Sequence, residues 1–159
     1  MAILTAEMKR LVEVQRLGYV ATVCPDGTPN LSPKGTTAVW DDDHLVFADI
    51  RSPGSVANIR QNPTVEVNVV DPIVRKGYRF KGNAEVLSSG STFDDIVAFY
   101  RKRGVSSPIG QVVLVQVERA LPLVSPAYDS GATEAEVRAR WERYWSSMQQ
   151  GSAPESTGE

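Results

Sequence analysis

The sequence predicts a mainly β fold, a six-stranded antiparallel barrel with short flanking helices and a C-terminal helix. Val65, Val67 and Val69 alternate with Glu66 and Asn68, the period-two pattern of a strand with one buried face. Turn chemistry recurs at Pro25-Asp26-Gly27, at Asp41-Asp42-Asp43 and at Asp71-Pro72, between runs rich in Val, Thr and Tyr. Helical periodicity is confined to short segments that interrupt or follow those runs. Strands in such close succession fold back on themselves as a small barrel, which removes the exposed edges of an open sheet.

Each element has its own signal. Thr5 is placed to cap a helix over residues 5–17, with Met8, Leu11, Val12, Val14 and Leu17 near helical spacing and Gly18 as its stop. Tyr19 to Val23 and Asn30 to Trp40 make a hairpin about the first turn, and Leu45 to Ala48 adds a third strand. Ser52 before Pro53 marks a helix start, Val56 and Ile59 its buried side, and Asn62-Pro63 its end. The fourth strand covers Thr64 to Val70. A long fifth runs from Tyr78 to Leu87, where Gly82 marks a bulge or a close backbone approach. Ser91 opens a helix with Phe93, Ile96, Val97 and Tyr100 on one face and Arg101-Lys102-Arg103 in its last turn. Gln111 to Val117 is apolar on nearly both faces and therefore a central or interface strand, after which Pro122 and Pro126 break the segment. Thr133-Glu134-Ala135-Glu136 is a capping box for a helix to about Met148, with Val137, Trp141, Tyr144 and Trp145 in one stripe. Residues 1–150 are expected to form one domain and residues 151–159, rich in Gly, Ser, Pro and Glu, a flexible tail.

Composition narrows the function classes. Seventeen Lys and Arg against 19 Asp and Glu give a net charge of -2, which argues against broad attraction to nucleic acid or anionic lipid. No apolar run approaches the roughly 20 residues that span a bilayer, and the N-terminus lacks a basic-then-apolar layout; a cytoplasmic protein is expected. Cys24 is the only cysteine and His44 the only histidine, so there is neither an intrachain disulfide nor a cluster of soft metal ligands. Cys24 reads as a strand residue and His44 as a turn residue. An enzyme with this inventory must borrow its chemistry from a bound group.

Three patches offer a place for one. In Asp49-Ile50-Arg51-Ser52-Pro53-Gly54-Ser55 a strand runs into a helix N-terminus, where free N–H groups, the helix dipole, two hydroxyls and Arg51 suit either a phosphate monoester or simple N-capping. Ser32-Pro33-Lys34-Gly35-Thr36-Thr37 is polar and small in mid-strand, fitting a flat ring against backbone or an exposed strand face. Lys76-Gly77-Tyr78-Arg79 has the same character in a later strand.

From about Gly27 to Leu87 the chain resembles the pyridoxamine 5'-phosphate oxidase-like superfamily of split β-barrels that bind flavin mononucleotide (FMN). The resemblance is carried by Asp26-Gly27-Thr28-Pro29, Leu45-Val46-Phe47-Ala48-Asp49, Ser52 through Asn58-Ile59-Arg60-Gln61-Asn62-Pro63, and Arg79-Phe80-Lys81-Gly82-Asn83-Ala84-Glu85-Val86, in that order. It implies a homodimer with two FMN sites at the subunit interface. It places the isoalloxazine and ribityl contacts on Ser32, Pro33, Lys34, Gly35, Thr36 and Thr37. The phosphate falls on Asp49, Arg51, Ser52 and Ser55, with Asn58 close behind. Further contacts from either subunit fall near Lys76, Gly77 and Arg79, and Lys34 or Lys76 is the candidate positive group near flavin N1.

The chain also departs from the family's oxidases. Ser32 and Gly54-Ser55 stand where those enzymes carry a basic residue and an Arg-Lys pair, and the chain ends in a Trp-rich helix with no histidine after His44. Oxidation of vitamin B6 is therefore not expected. The leading expectation is an FMN-dependent oxidoreductase acting on a small molecule, with Tyr128, Trp141 and Trp145 walling the substrate cavity. A deazaflavin-dependent reductase, a non-catalytic flavin or haem carrier or sensor, and a cofactor-free dimeric scaffold are the alternatives.

Overall fold

The computed structural model describes residues 2–151, so all of the expected tail except Gly151 lies outside the described residues. Four helices, α1 (Ala6–Gln15), α2 (Pro53–Gln61), α3 (Ser91–Lys102) and α4 (Glu134–Gln149), accompany seven strands rather than six. The strands are β1 (Gly18–Val23), β2 (Pro29–Lys34), β3 (Ala38–Val39), β4 (His44–Asp49), β5 (Thr64–Asp71), β6 (Lys76–Leu87) and β7 (Gln111–Val124). They form one sheet in the order β2-β1-β5-β6-β7-β4-β3, antiparallel throughout.

The extra strand arises because the expected strand from Asn30 to Trp40 is cut into β2 and β3, which lie at opposite edges of the sheet. Only Gly35, Thr36 and Thr37 separate them, and that stretch reaches at most about 14 Å. The sheet must therefore curl until its edges nearly meet. The crossing is bonded at each residue that carries a side chain: the Thr36 hydroxyl donates to the Ala48 carbonyl (3.2 Å) and accepts from the Ala48 N–H (2.9 Å), and the Thr37 hydroxyl donates to the Lys34 carbonyl (2.8 Å). From α3, the buried Tyr100 hydroxyl donates to the Thr36 carbonyl at 2.8 Å.

Inside the curl, Val20, Phe47, Val65, Val67, Val69, Phe80, Val113 and Val115 pack with Leu4 and Val12 from the N-terminal segment and Val56 and Ile59 from α2. Outside it, α3 sets Ile96 and Tyr100 on Val46, Ala48 and Val112. Strand β4 and the first residues of β7, Val112 to Val115, are consequently covered on both faces, as the apolar pattern of Gln111 to Val117 predicts.

Local expectations hold in some places and yield to context in others. Arg16, in the left-handed region at φ 52°, ends α1 in place of Gly18, and Val14 is exposed rather than packed. Strand β7 is not broken at Pro122 but continues to Val124. Beyond Gln116 its only neighbour is β6, so the missing N–H at Pro122 faces an unpaired side. Gly82 does mark a bulge, where the β6–β7 register shifts, and a Cβ there would lie 1.9 Å from the Gln116 carbonyl oxygen. We expect Gly82→Ala to force these strands apart and lower unfolding stability by about 1–3 kcal/mol in a denaturant titration; an unchanged midpoint would show that the bulge absorbs a methyl group freely.

Candidate functional site

Period-two alternation puts Asn30, Ser32 and Lys34 on the inner face of β2, and that face ends in a charge. Lys34 is 3% exposed, and its ammonium donates to the hydroxyls of Ser32 (2.8 Å), Ser52 (2.5 Å) and Ser55 (3.2 Å). All three acceptors are neutral. Burial pulls the Lys34 pKa below the usual lysine value, and the nearby charge of Asp49 opposes that only in part. The Asp49 carboxylate is turned instead to the Ser52 N–H, at 2.7 Å. A buried cation satisfied in hydrogen bonds but contacting no anion is an arrangement that an anionic ligand completes.

The helix beside it is open for the same reason. Ser52 occupies the N-cap position of α2, as its Ser-Pro signature predicts, but its hydroxyl is held by Lys34 and makes no capping bond. The first-turn N–H groups are left to an outside acceptor. A Cβ built on Gly54 would meet nothing within 4 Å, and the same is true of Gly35 on the crossing, so both backbones can be approached closely. Arg51 is exposed and has no hydrogen-bond or ion-pair partner among the described residues. Behind the serines, the Asn58 amide donates to the buried Thr22 hydroxyl at 3.0 Å.

Of the residues singled out from the sequence, Ser32, Lys34, Asp49, Ser52 and Ser55 form this one cluster. Thr36 and Thr37 hold the crossing that leads from it, Gly35 is exposed at the turn, and Asn58 supports it from below. Pro33 points outward, in the same cross-strand row as Tyr19, Asn68 and Arg79. Arg79 is bonded there to Glu66, which also holds Lys81 at 3.1 Å.

Lys76 and Gly77 lie elsewhere, at the turn end of β6. Lys76 bridges to Glu134 at 3.1 Å and sits 4.5 Å over the Tyr128 ring. A Cβ on Gly77 would lie 2.2 Å from the Val69 carbonyl oxygen, so strand packing alone requires glycine there. Tyr128 donates to the Val74 carbonyl at 2.6 Å, and Trp141 stacks 3.4 Å from the Arg75 guanidinium, whose Nε is buried without a hydrogen bond. Trp145 is exposed. The expected cavity wall thus gathers around the β5–β6 turn, with β1 and β5 between it and Lys34 in the sheet.

Asn30 was not among the residues picked from the sequence, yet its amide donates to Thr22 Oγ1 at 3.1 Å and reaches Ser55 Oγ at 3.5 Å. Its spacing from Ser32 and Lys34 was the available signal. Tyr100, read only as a helix-face residue, braces the crossing.

The sequence model described as pyridoxamine 5'-phosphate oxidase matches residues 4–122. Among solved structures, HupZ from Group A Streptococcus is 34% identical over 76% of this chain and 94% of its own, with a TM-score of 0.69. A protein from Lactobacillus delbrueckii described as a putative pyridoxamine 5'-phosphate oxidase is 26% identical over 76% of this chain and 95% of its own, with a TM-score of 0.66. An F420 reductase is 25% identical over 74% of this chain and 98% of its own, with a TM-score of 0.58. No curated protein matches.

The depressed Lys34 pKa fixes the sign of a pH effect. Between the folded value and the higher ordinary one, the unfolded chain holds the Lys34 proton and the folded chain has released it, so the stability of the ligand-free protein rises with pH across that interval. We expect Lys34→Met to remove this alkaline rise from a series of denaturant titrations, and to leave the protein at least as stable as the parent at neutral pH. Parallel pH profiles for parent and variant would show that the ammonium is not held at a cost.

Proposed function

The chain belongs to the pyridoxamine 5'-phosphate oxidase family, and we propose that it is an FMN-binding oxidoreductase that acts on a small molecule as a homodimer. The observation that carries the cofactor assignment is Lys34: a buried ammonium on three hydroxyls, beside an uncapped helix N-terminus. That donor set fits a phosphate monoester, with Ser52, Ser55 and the first-turn N–H groups of α2 completing its shell and Arg51 free to close over it. The open backbone at Gly35 leaves room for a flat ring system next to the phosphate. Bound FMN supplies hydride or electron transfer at N5. The chain's part is to bind, orient and hold charge: Lys34 neutralises the anion, and Thr36 and Tyr100 keep the segment that carries Lys34 in place.

The outer sheet face supports the dimer. Leu31 is 65% and Tyr19 44% exposed on adjacent strands, where Ala21 pairs with Leu31 and Tyr19 with Pro33. Side chains of this kind, side by side on a β surface, suit burial against a second copy. The F420 reductase among the relatives favours a second reading, in which a deazaflavin replaces FMN at the same cluster.

An absorption spectrum of the purified protein, with mass analysis of what heat releases, separates these readings. Flavin bands with an FMN mass are expected; a colourless protein that ignores added FMN would overturn the FMN assignment and direct the search to deazaflavin. Lys34→Met should weaken FMN binding by about 10- to 100-fold, the worth of a charged hydrogen-bonding group, with riboflavin affinity nearly unchanged. An equal loss for both ligands would place Lys34 away from the phosphate. By sedimentation, Leu31→Glu should shift a dimer toward monomer; a parent protein that runs as a monomer would end the dimer reading.

A further inference from the structure

A cavity of about 400 Å³ lies between α1, the β5–β6 turn, the end of β7 and α4, and it shares no residue with the Lys34 cluster. Its size falls in the usual range for small-molecule sites. One wall, from Val124 through Glu134 and Arg138, comes from chain beyond the family match at residues 4–122. Most of the rest of the lining, Arg10, Leu11 and Val14 included, lies within the matched residues, so the cavity is closed jointly by the two parts of the chain.

The charges around it are unevenly satisfied. Glu134 holds Lys76 at 3.1 Å and Arg138 at 3.6 Å. Asp71 accepts the Ile73 and Val74 N–H groups of its own turn, at 2.8 and 3.2 Å. Burial raises the Tyr78 phenol's pKa, and the charge of nearby Glu7 adds to it. Asp71 and Glu134 thus have bonded partners. Among the lining cations, Arg10 on α1 makes no hydrogen bond or ion pair with any described residue. Beside it, Leu11, Val14 and Val124 present apolar surface, with Val14 64% and Val124 54% exposed.

From this we infer that the cavity is a second ligand site, for a small amphipathic carboxylate whose charge meets Arg10 and whose apolar body lies on Leu11, Val14 and Val124. A guanidinium presents two parallel N–H groups to a planar carboxylate. Glu7, Asp71 and Glu134 in the lining are matched by Arg10, Lys76 and Arg138, and of these cations Arg10 alone lacks a partner among the described residues, so a single negative charge is what the site accepts. The apolar wall excludes a bare inorganic anion as the preferred occupant, because that would leave the wall in water.

Isothermal titration of the full chain with benzoate, and with the neutral isostere benzamide, tests this. Saturable benzoate binding in the millimolar range is expected, at least about tenfold weaker for benzamide and for Arg10→Gln. Arg10 lies on an exposed helix face, and circular dichroism establishes that the variant is folded. A second variant, Val124→Trp, fills the apolar side and should abolish binding while leaving FMN titration unchanged. Absence of saturable benzoate binding, equal affinity for benzamide, undiminished binding by Arg10→Gln, or displacement of benzoate by FMN would each overturn the inference. A chain that fails to take FMN yet binds benzoate through Arg10 would sink the flavin reading and leave this one standing.

Discussion

Strands β2 and β3 are one stretch of chain cut by three residues, and they form opposite edges of a seven-stranded sheet. The rest of the molecule depends on that short tether. It sets how far the sheet must curl, and so how much apolar surface can be enclosed between β1, β4, β5, β6 and β7. It also brings the end of β2 next to the end of β4, which is how Lys34 comes within hydrogen-bond reach of the serines at the start of α2. A loose tether would leave the barrel open and the lysine in water. The bonds from Ala48 and Tyr100 make it tight, at the cost of burying a phenol whose pKa is driven up by that burial.

The Lys34 cluster and the cavity by Arg10 differ in construction. The Lys34 cluster lies within the segment shared with the family and is made of strand and helix termini. The cavity by Arg10 is walled in part by α4, whose contacts include Trp141 on Arg75, Glu134 on Lys76, and the buried Val137. Exposed ion pairs of that kind contribute little, so the stack and Val137 contribute more to the docking than the Glu134–Lys76 pair. Among the described residues no group of three or more His, Cys, Asp and Glu is placed to hold a metal ion.

What the sequence made legible follows the range over which each feature is decided. The alternation in β5, the bulge at Gly82, the Thr5 cap and the capping box at Thr133 and Glu136 are set by neighbours in sequence or by the backbone itself, and they are readable there. The cut between β2 and β3 is not, because it is made by Ala48 and Tyr100, 12 and 64 residues from Thr36. Ser52 shows the same competition in one side chain: the local rule assigns its hydroxyl to α2, and Lys34, 18 residues away, takes it. Lys34-Gly35 and Lys76-Gly77 look alike in the sequence, and only the strand order separates them, by placing β1 and β5 between. Asn30 escaped notice because a polar residue on a strand reads as solvent-facing until the partner strand and helix are known.

The buried ammonium of Lys34 also says something about how this lineage can change. Selection for folding alone would discard it, since an apolar side chain of similar size would sit in the same place without a charge to desolvate. On the proposed reading, its presence is explained by what the protein binds rather than by how firmly it stands. A descendant that stopped using its ligand would be expected to lose this lysine early, well before the valines around it, so the residue serves as a tell-tale of whether a homologous chain is still in employment.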